Sequence, residues 1–580
     1  MKKIIIISLL IIFCSGCKKN VLSSLDITPD GRVTLTDVFN DNDETGAYLN
    51  SCYSYIPIYG TMFYWWVFLA GFTDDAHDND DPTENLGSNA WYAGSLSPSS
   101  DPLWLAGWGS NYQQFWQGIR KTNVFLANIG NANVTNPADR ARWTAEAKIL
   151  RAFYYWILIR RYGGMPIEEK PFPLGFNYAT LKRSTFDSCV QFIVKNCDEA
   201  IAEPEMPWRI STGESDRGRM TKAIAYAIES EATLFNASPL WNPTNDQAKW
   251  QQAAAVSKKA LTELLNNGYA LYPDYYTYFH TTPDLGANPA DKETIFERKG
   301  ARGLDGSSNG ISLINGIPSA SNIKAGSSPS QELVDAYDMK NGQPAITGYS
   351  DADHLNPVIN GASGYDPLHP YENRDPRFYA TVLYNGAPFG KINGVEHYMQ
   401  CFVGGSDGIR NNNRAYTHNG YYLRKYTDSL ITNVTQGTGA RWRIYRLAEI
   451  YLNLAEAENE ANGPDQVAYD AVNAIRTRAG MPPLPANLSK DDFRTRVRNE
   501  RRVELSFEGK RFWDVRRWKI LGQTGKLTTG MQWTMNTSGG LSQERLVVDR
   551  RNAWADKFMI FPIPLSEISD MPAFKQNPGW

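Results

Sequence analysis

The sequence has little of several things that would point to a particular chemistry. Its 580 residues include only six cysteines and six histidines. Beyond the N-terminal Cys14-Ser15-Gly16-Cys17 there is no Cys-x-x-Cys pair and no Cys/His cluster. Zinc sites and thiol redox chemistry therefore have no support, and few histidines are available as general bases. The 59 Lys and Arg residues are matched by 62 Asp and Glu residues, which argues against a nucleic-acid-binding protein, since such proteins carry a clustered basic excess.

No apolar run in the sequence is long enough to span a membrane, and the first of the shorter runs lies at the N-terminus. Ile4–Phe13 follows a pair of lysines and is too short for a transmembrane helix, but it is typical of a signal peptide. Ser15-Gly16-Cys17 then resembles a bacterial lipobox, whose cysteine is acylated and becomes the new N-terminus. We expect a lipoprotein signal peptide over residues 1–16 and lipidation at Cys17, with an ordinary cleaved signal peptide as the alternative.

Four cysteines follow this segment, Cys52, Cys189, Cys197 and Cys401. Cys189 and Cys197 fall within one helical pattern, roughly 12 Å apart at the rise of an α-helix, which is too far for a disulfide bond. All four are expected to be buried thiols.

Helical periodicity covers two separate stretches, residues 43–267 and 441–520. Asn136-Pro137 predicts the start of a helix, because Asn is a good N-cap and Pro is tolerated at the first helical position. Two further helix starts are predicted at the capping boxes Ser184-x-x-Asp187 and Ser489-x-x-Asp492. Consecutive helices of this kind are typical of a helical-repeat scaffold.

The rest of the chain follows a different pattern. Residues 268–440 are rich in Gly, Asn, Ser, Asp and Pro, and so long an irregular segment is typical of a functional insertion. We expect residues 17–42 to be a lipidated tether and residues 521–580 to be an extended C-terminal tail. The folded part, residues 43–580, is expected to form a single domain.

Several segments, in a fixed order, carry a resemblance to a known family. They are AEAKILRAFYYWILIRRYGGMP (145–166), YRLAEIYLNLAEAENE (445–460), NERRVELSFEGKRFWDVRRW (499–518), and FPIPLSEI with the final QNPGW (561–580). On these segments the chain resembles the SusD/RagB family of outer-membrane nutrient-binding lipoproteins of Bacteroidetes.

This resemblance implies a mostly α fold, with four tetratricopeptide-like helix pairs forming a superhelical scaffold and a large irregular ligand-binding insertion. It also implies a binding protein rather than an enzyme, with no cofactor. Such a protein is lipid-anchored to the outer membrane at the cell surface, captures an oligosaccharide and delivers it to a SusC-type TonB-dependent transporter.

The densest group of charges lies between Glu500 and Arg517. Its signs alternate and apolar residues separate them, which favours a helix–turn–helix corner held by internal ion pairs. A basic patch for phosphate or an acidic glycan is the alternative.

A second charged stretch, Asp74–Asp81, contains five aspartates among its eight residues. Calcium binding is one interpretation, although the stretch lacks the glycine and the distal Glu of an EF-hand loop. We expect instead a solvated loop in which Asp74 and Asp75 accept hydrogen bonds from sugar hydroxyls.

The sequence is rich in aromatic residues, with 17 Trp and 31 Tyr, and these indicate how a sugar could bind. A flat ring covers the apolar C–H face of a pyranose at low entropic cost. Tyr112 and Trp116 follow helical spacing and are assigned to the core. Rings without helical spacing, together with polar residues of the irregular insertion, are the candidate ligand contacts: Trp91, Tyr92, Trp104, Trp108, Tyr276, Tyr278, Arg302 and Asn309.

Two alternatives belong to other classes. The same fold could bind a peptide or serve only as a scaffold for the transporter. A glycoside hydrolase would need two carboxyl groups at a defined separation, and no motif places such a pair.

Overall fold

The computed structural model of the chain describes residues 33–57, 62–64, 67–80, 87–100, 112–210, 216, 218–281, 283–297, 315–427 and 442–580. Helices dominate this part of the chain. They are α1 Leu35–Asn40, α2 Asn42–Cys52, α3 Gly87–Tyr92, α4 Tyr112–Asn128, α5 Pro137–Tyr162, α6 Phe186–Ile201, α7 Lys222–Ala237, α8 Gln247–Asn266, α9 Tyr275–His280, α10 Gln331–Ala336, α11 Pro376–Thr381, α12 Leu447–Asn462, α13 Gln466–Arg478, α14 Lys490–Glu504, α15 Arg511–Arg517, α16 Leu521–Thr524 and α17 Leu565–Asp570.

The strands are short and pair two by two. They are β1 Met62–Tyr64, β2 Val67–Phe68, β3 Ala76–Asp78, β4 Thr294–Glu297, β5 Ser327–Pro329, β6 Ile346–Tyr349, β7 Pro357–Ile359, β8 Val382–Leu383, β9 Pro388–Ile392, β10 Val395–Tyr398, β11 Tyr422–Leu423, β12 Arg443–Arg446, β13 Leu527–Met535 and β14 Leu541–Arg550. All the pairs are antiparallel: β1–β2, β3–β5, β4–β12, β6–β7, β8–β11, β9–β10 and β13–β14.

The long helices form the four expected pairs, α4–α5, α6–α7, α8–α12 and α13–α14. Neighbouring helices pack along this order, and α8 packs closely on α12 although the whole irregular insertion lies between them in the chain. The insertion therefore leaves and re-enters the scaffold at one place. The mostly α fold with four helix pairs is confirmed.

The predicted helix starts are mostly right. Asn136 accepts a hydrogen bond from the backbone N–H of Ala138 ahead of Pro137, and Ser489 caps α14 by accepting from Asp492. Helix α6 is an exception, since Thr185 rather than Ser184 is its N-cap and accepts from the N–H of Ser188. The capping residue is thus one position later than the motif predicted.

Two expected boundaries are wrong. Helix α1 begins at Leu35, inside the segment expected to be a tether, because Thr34 and Asp37 form a capping box there. Residues 521–580 are not simply an extended tail, since they contain α16, α17 and the long hairpin β13–β14.

Aromatic side chains fill much of the core. Trp156 of α5 is fully buried, packs edge-on against Phe235 of α7 with ring centroids 5.0 Å apart, and donates from Nε1 to Glu231 at 2.6 Å. The four described cysteines are buried and unpaired, as predicted. No helix among the described residues is both long and apolar enough to cross a membrane.

The charged corner between α14 and α15 is confirmed as scaffold. Arg501 binds Asp514 at 2.8 Å across the turn, and Arg517 binds Glu456 of α12 at 2.6 Å. Burial by itself would raise the pKa of Glu456, but Arg517 lowers it to about 2. The basic groups of this corner are therefore used internally.

Candidate functional site

Asp74 and Asp75, predicted to lie in a solvated loop, are buried. Arg511 binds both carboxylate oxygens of Asp74 at 2.8 and 3.0 Å, and Arg502 binds Asp75 at 2.6 Å. Burial opposes ionisation of Asp74, yet Arg502 and Arg511 lower its pKa to about 2. The prediction that these two carboxylates contact sugar is wrong, because the α14–α15 corner already binds them.

Asp78 and Asp80 of the same stretch are also paired with side chains of the protein, while residue 81 lies outside the described residues. Lys324 binds Asp78 at 2.9 Å and Asp80 at 2.8 Å, and Arg414 lies 3.3 Å from Asp80. Among the described residues, no group of three His, Cys, Asp or Glu side chains is placed to hold a metal ion.

A buried histidine in this stretch makes the stability pH-dependent. Nε2 of His77 lies 3.3 Å from Nδ1 of His418, and burial, together with His418, Arg551 and Lys324, lowers the pKa of His77 well below its ordinary value. An unfolded histidine takes up a proton near pH 6.5, whereas His77 in the fold does not. The contribution of His77 to the free energy of unfolding is therefore fully present above about pH 7. It is lost as the pH falls towards 5, by up to about 1.4 kcal/mol per pH unit.

Urea unfolding at several pH values checks this prediction. His77→Gln should flatten the decline between about pH 7 and pH 5, while His369→Gln, which changes an exposed histidine paired with Asp366, should not. Equal slopes for His77→Gln and the wild type would contradict the assignment.

Trp91 and Tyr92 were predicted to be exposed, and both are buried. Trp91 packs against Phe72, Phe558 and Phe561 with ring centroids 5.7–6.2 Å apart. The hydroxyl of Tyr92 donates to Gly71 O at 2.6 Å. These rings anchor the segment that carries them, so the prediction of ligand contact is wrong for both.

The two tyrosines predicted to contact ligand, Tyr276 and Tyr278, differ in burial. Tyr278 is fully buried and Arg443 lies over its ring, 3.8 Å from the centroid, so it is not a ligand contact. Tyr276 is half-buried, so part of its side chain remains at the surface. Its ring stacks on His280 with centroids 3.9 Å apart. Trp104, Trp108, Arg302, Asn309 and the lipidation site Cys17 lie outside the described residues.

The structure presents a cleft of about 480 Å³ beside the start of α4. The first residue of α4, Tyr112, directly follows the segment that contains Trp104 and Trp108 in the sequence. Three parts of the chain form its walls: α4, the segment 166–181 after α5, and the C-terminal part around α17. Clefts of this size are typical of small-molecule sites.

Helix α4 supplies the first wall because of its residue spacing. Tyr112, Trp116 and Arg120 follow at four-residue intervals and so lie on one helical face. Gly118 allows α4 to pack closely on α5, because a Cβ at this position would lie only 2.8 Å from the ring of Tyr154. The ring of Trp116 packs edge-on to Tyr155 of α5, with centroids 6.1 Å apart.

The second wall is tied firmly to α4 and α5. Asn123 donates from Nδ2 to the carbonyl oxygen of Glu168 at 2.8 Å, and the backbone N–H of Glu168 donates to the hydroxyl of Tyr155 at 2.8 Å. Gly164 is needed at the start of this segment, because a Cβ would lie 2.1 Å from the carbonyl oxygen of Ser184. Phe172 and Tyr178 of this wall line the cleft.

The third wall is held in place by one arginine. Arg183 donates to Gly164 O at 2.7 Å and to Asn577 Oδ1 at 2.8 Å, and its guanidinium lies 5.6 Å from the ring centroid of Phe574. The family-like C-terminal segment therefore closes one side of the cleft. Glu567 brings a carboxyl group to this wall.

The charges that line the cleft are balanced. Burial raises the pKa of Glu168, and burial together with the neighbouring Asp570 raises that of Glu567. Arg120 and Lys170 bring basic side chains to the same cleft. Burial and the nearby Glu567 also raise the pKa of Tyr112, which lines the cleft.

Aromatic walls with carboxyl, amide and guanidinium groups between them suit a ligand that is apolar on its flat faces and polar at its edges. Sequence reasoning missed this site because it assigned Tyr112 and Trp116 to the core. Tyr112 is buried, but Trp116 is only half-buried. The signal was present in Gln113, Gln117 and Arg120, since polar residues flank Trp116 on its helical face.

Comparisons with known proteins agree with this architecture. The model of the SusD family matches residues 292–580. A second model, described as starch-binding and associating with the outer membrane, matches residues 87–234. The SusD-like protein P25 of Formosa agariphila is 24% identical over 74% of this chain and 73% of its own length.

Solved structures show the same fold. A SusD-like protein from Bacteroides fragilis superposes with a TM-score of 0.76 at 26% identity, covering 94% of this chain and 98% of its own. A laminarin-binding SusD-like protein superposes with a TM-score of 0.59 at 23% identity, covering 93% of this chain and all of its own. The chain belongs to the SusD family.

Proposed function

We propose that this protein is a lipid-anchored glycan-binding protein of the outer-membrane surface. It captures an oligosaccharide without cleaving it and delivers it to a SusC-type TonB-dependent transporter. Lipidation at Cys17 would provide the anchor. Family membership supports the carbohydrate class of the ligand, and the lipobox resemblance supports the anchor.

The observation that carries the proposal is the lining of the cleft. Trp116, Phe172 and Tyr178 offer ring surfaces, and a pyranose presents an apolar C–H face to such rings. Glu168 and Glu567, with raised pKa values, and the hydroxyl of Tyr112, which lines the cleft, can pair with sugar hydroxyls. Because the cationic and acidic groups balance, a neutral oligosaccharide suits the cleft better than an acidic one.

Replacement of Trp116 by Ala tests the site. Titration calorimetry with starch-derived and laminarin-derived oligosaccharides should show a loss of affinity of at least about tenfold, equivalent to about 1.4 kcal/mol, since a Trp ring that lines a cleft contributes much of the binding energy. Trp554→Ala is the matched control, because Trp554 is 38% exposed and lies outside the cleft.

The outcomes separate this proposal from its alternatives. Equal affinities of Trp116→Ala and the wild type for every bound glycan would remove the site assignment. Failure of all glycans, with a transporter still co-purifying, would favour a peptide-binding or scaffolding role. Shortened products after prolonged incubation with a polysaccharide would show a glycoside hydrolase.

A further inference from the structure

Three aromatic rings form a compact cluster beside the cleft. The ring centroid of Phe172 lies 4.4 Å from that of Phe176 and 5.2 Å from that of Tyr178, and those of Phe176 and Tyr178 are 5.0 Å apart. Phe172 and Tyr178 also line the cleft. We call these three residues the ring cluster; it continues the apolar lining of the cleft outwards.

The backbone holds the ring cluster in an ordered turn. The N–H of Phe176 donates to Pro173 O at 3.2 Å, and Gly175 provides the positive φ of 76° that the turn requires. Asn177 then caps the following helical turn by accepting from the N–H of Ala179 at 3.1 Å. At the apex the side chain of Leu174 is completely exposed.

A rigid turn with an exposed leucine above three rings needs an explanation, because contiguous apolar surface usually marks a binding site. The charges around it do not select a charged partner, since Glu168 and Lys170 line the same cleft and Glu169 is paired with Lys195 at 3.3 Å. The observation that identifies the occupant is continuity: two of the three rings are shared with the cleft.

We infer that the ring cluster is an outer subsite of the cleft and that the ligand is a chain long enough to occupy both. The innermost sugar units lie against Trp116, and the following units lie over Phe176 and Leu174. This inference rests on the proposed function and adds to it a class of ligand, a linear chain rather than a mono- or disaccharide.

A chain-length series tests the inference. Wild-type protein should bind a homologous series of neutral oligosaccharides with an affinity that rises with length. Phe176→Ser should lose about tenfold on long chains and remain unchanged on the shortest chain that binds, whereas Trp116→Ala should lose affinity at every length. Leu174→Ser should lower only the affinity for long chains.

Two controls keep the result interpretable. Leu174 is completely exposed, so its replacement removes no packing and the variant folds even if Phe176→Ser does not. Leu368→Ser changes another exposed leucine, 77% exposed, outside the cleft and the ring cluster, and should bind all chains as the wild type does.

Each result has a separate meaning. Binding that depends on Trp116 but is the same for Phe176→Ser, Leu174→Ser and the wild type at all lengths would overturn the outer subsite and leave the proposed function intact. Absence of binding at every length would overturn the proposed function itself. Release of a co-purifying protein by Leu174→Ser, with unchanged glycan binding, would make the turn a protein-docking surface and also overturn the inference.

Discussion

Replacement of Glu504 by Gln should lower the free energy of unfolding by about 3–5 kcal/mol, because it removes the charge that three buried arginines share. The carboxylate of Glu504 binds Arg446 at 2.7 Å and Arg377 at 3.0 Å and is also paired with Arg478. Burial opposes its ionisation, but Arg478, Arg446 and Arg377 hold the pKa of Glu504 well below its usual range.

The size of this effect follows from what remains after the change. Glutamine keeps one acceptor oxygen but carries no charge. The guanidinium groups therefore stay buried without the negative charge that offset the cost of their desolvation, and this cost lowers the free energy of unfolding. The other carboxylates of the network, Asp375, Glu500, Glu293 and Glu508, already bind the same arginines and cannot replace it. The expected loss is therefore larger than that of any single surface ion pair.

Urea unfolding followed by tryptophan fluorescence measures this effect. The matched control is Asp353→Asn, which breaks the exposed pair of Asp353 with Arg550 and should leave the unfolding midpoint nearly unchanged, since solvent screens such pairs. A midpoint for Glu504→Gln equal to that of Asp353→Asn would contradict the importance given to this buried network.

Replacement of Trp91 by Ala should also cost about 3–5 kcal/mol of stability, yet leave the affinity for glycans unchanged. Trp91 is 1% exposed and packs against Phe72, Phe558 and Phe561. Truncation opens a cavity among rings that belong to distant parts of the chain, and these cannot all move inwards to fill it.

The two measurements together decide what Trp91 does. Thermal unfolding followed by circular dichroism gives the loss of stability, and calorimetric titration at a temperature where the variant is folded gives the affinity. Trp116→Ala is the reverse case, with a large loss of affinity and a smaller loss of stability. Weakened glycan binding by a folded Trp91→Ala protein would show that Trp91 contributes to the binding site after all.

The opposite outcomes for Trp91 and Trp116 explain why the site was only partly predictable. Trp91 follows an acidic, Gly- and Asn-containing segment, and this composition predicted exposure. Trp116 follows helical spacing, which predicted burial. Local pattern describes the backbone well, but the burial of a ring depends on whether other segments cover it, and Phe558 and Phe561 are more than 460 residues from Trp91.

The acidic stretch shows the same limit for charges. Both the run that begins at Asp74 and the basic residues Arg502 and Arg511 were visible in the sequence. Their pairing was not, because the two groups are more than 420 residues apart and meet only when the α14–α15 corner packs against Asp74 and Asp75. A solvated, ligand-binding loop and an internal ion-pair network therefore look alike in the sequence.

By itself the sequence determined whatever depends on neighbouring residues. Helix starts at Asn136 and Ser489, the charged corner at residues 500–517, the buried thiols and the family were all predicted, since caps, periodicity and motif segments act over a few residues. Tertiary structure alone decided which rings and charges are free to bind a ligand. The cleft exists only where α4, residues 166–181 and the C-terminal segment meet, and no local pattern records a contact between segments so far apart in the chain.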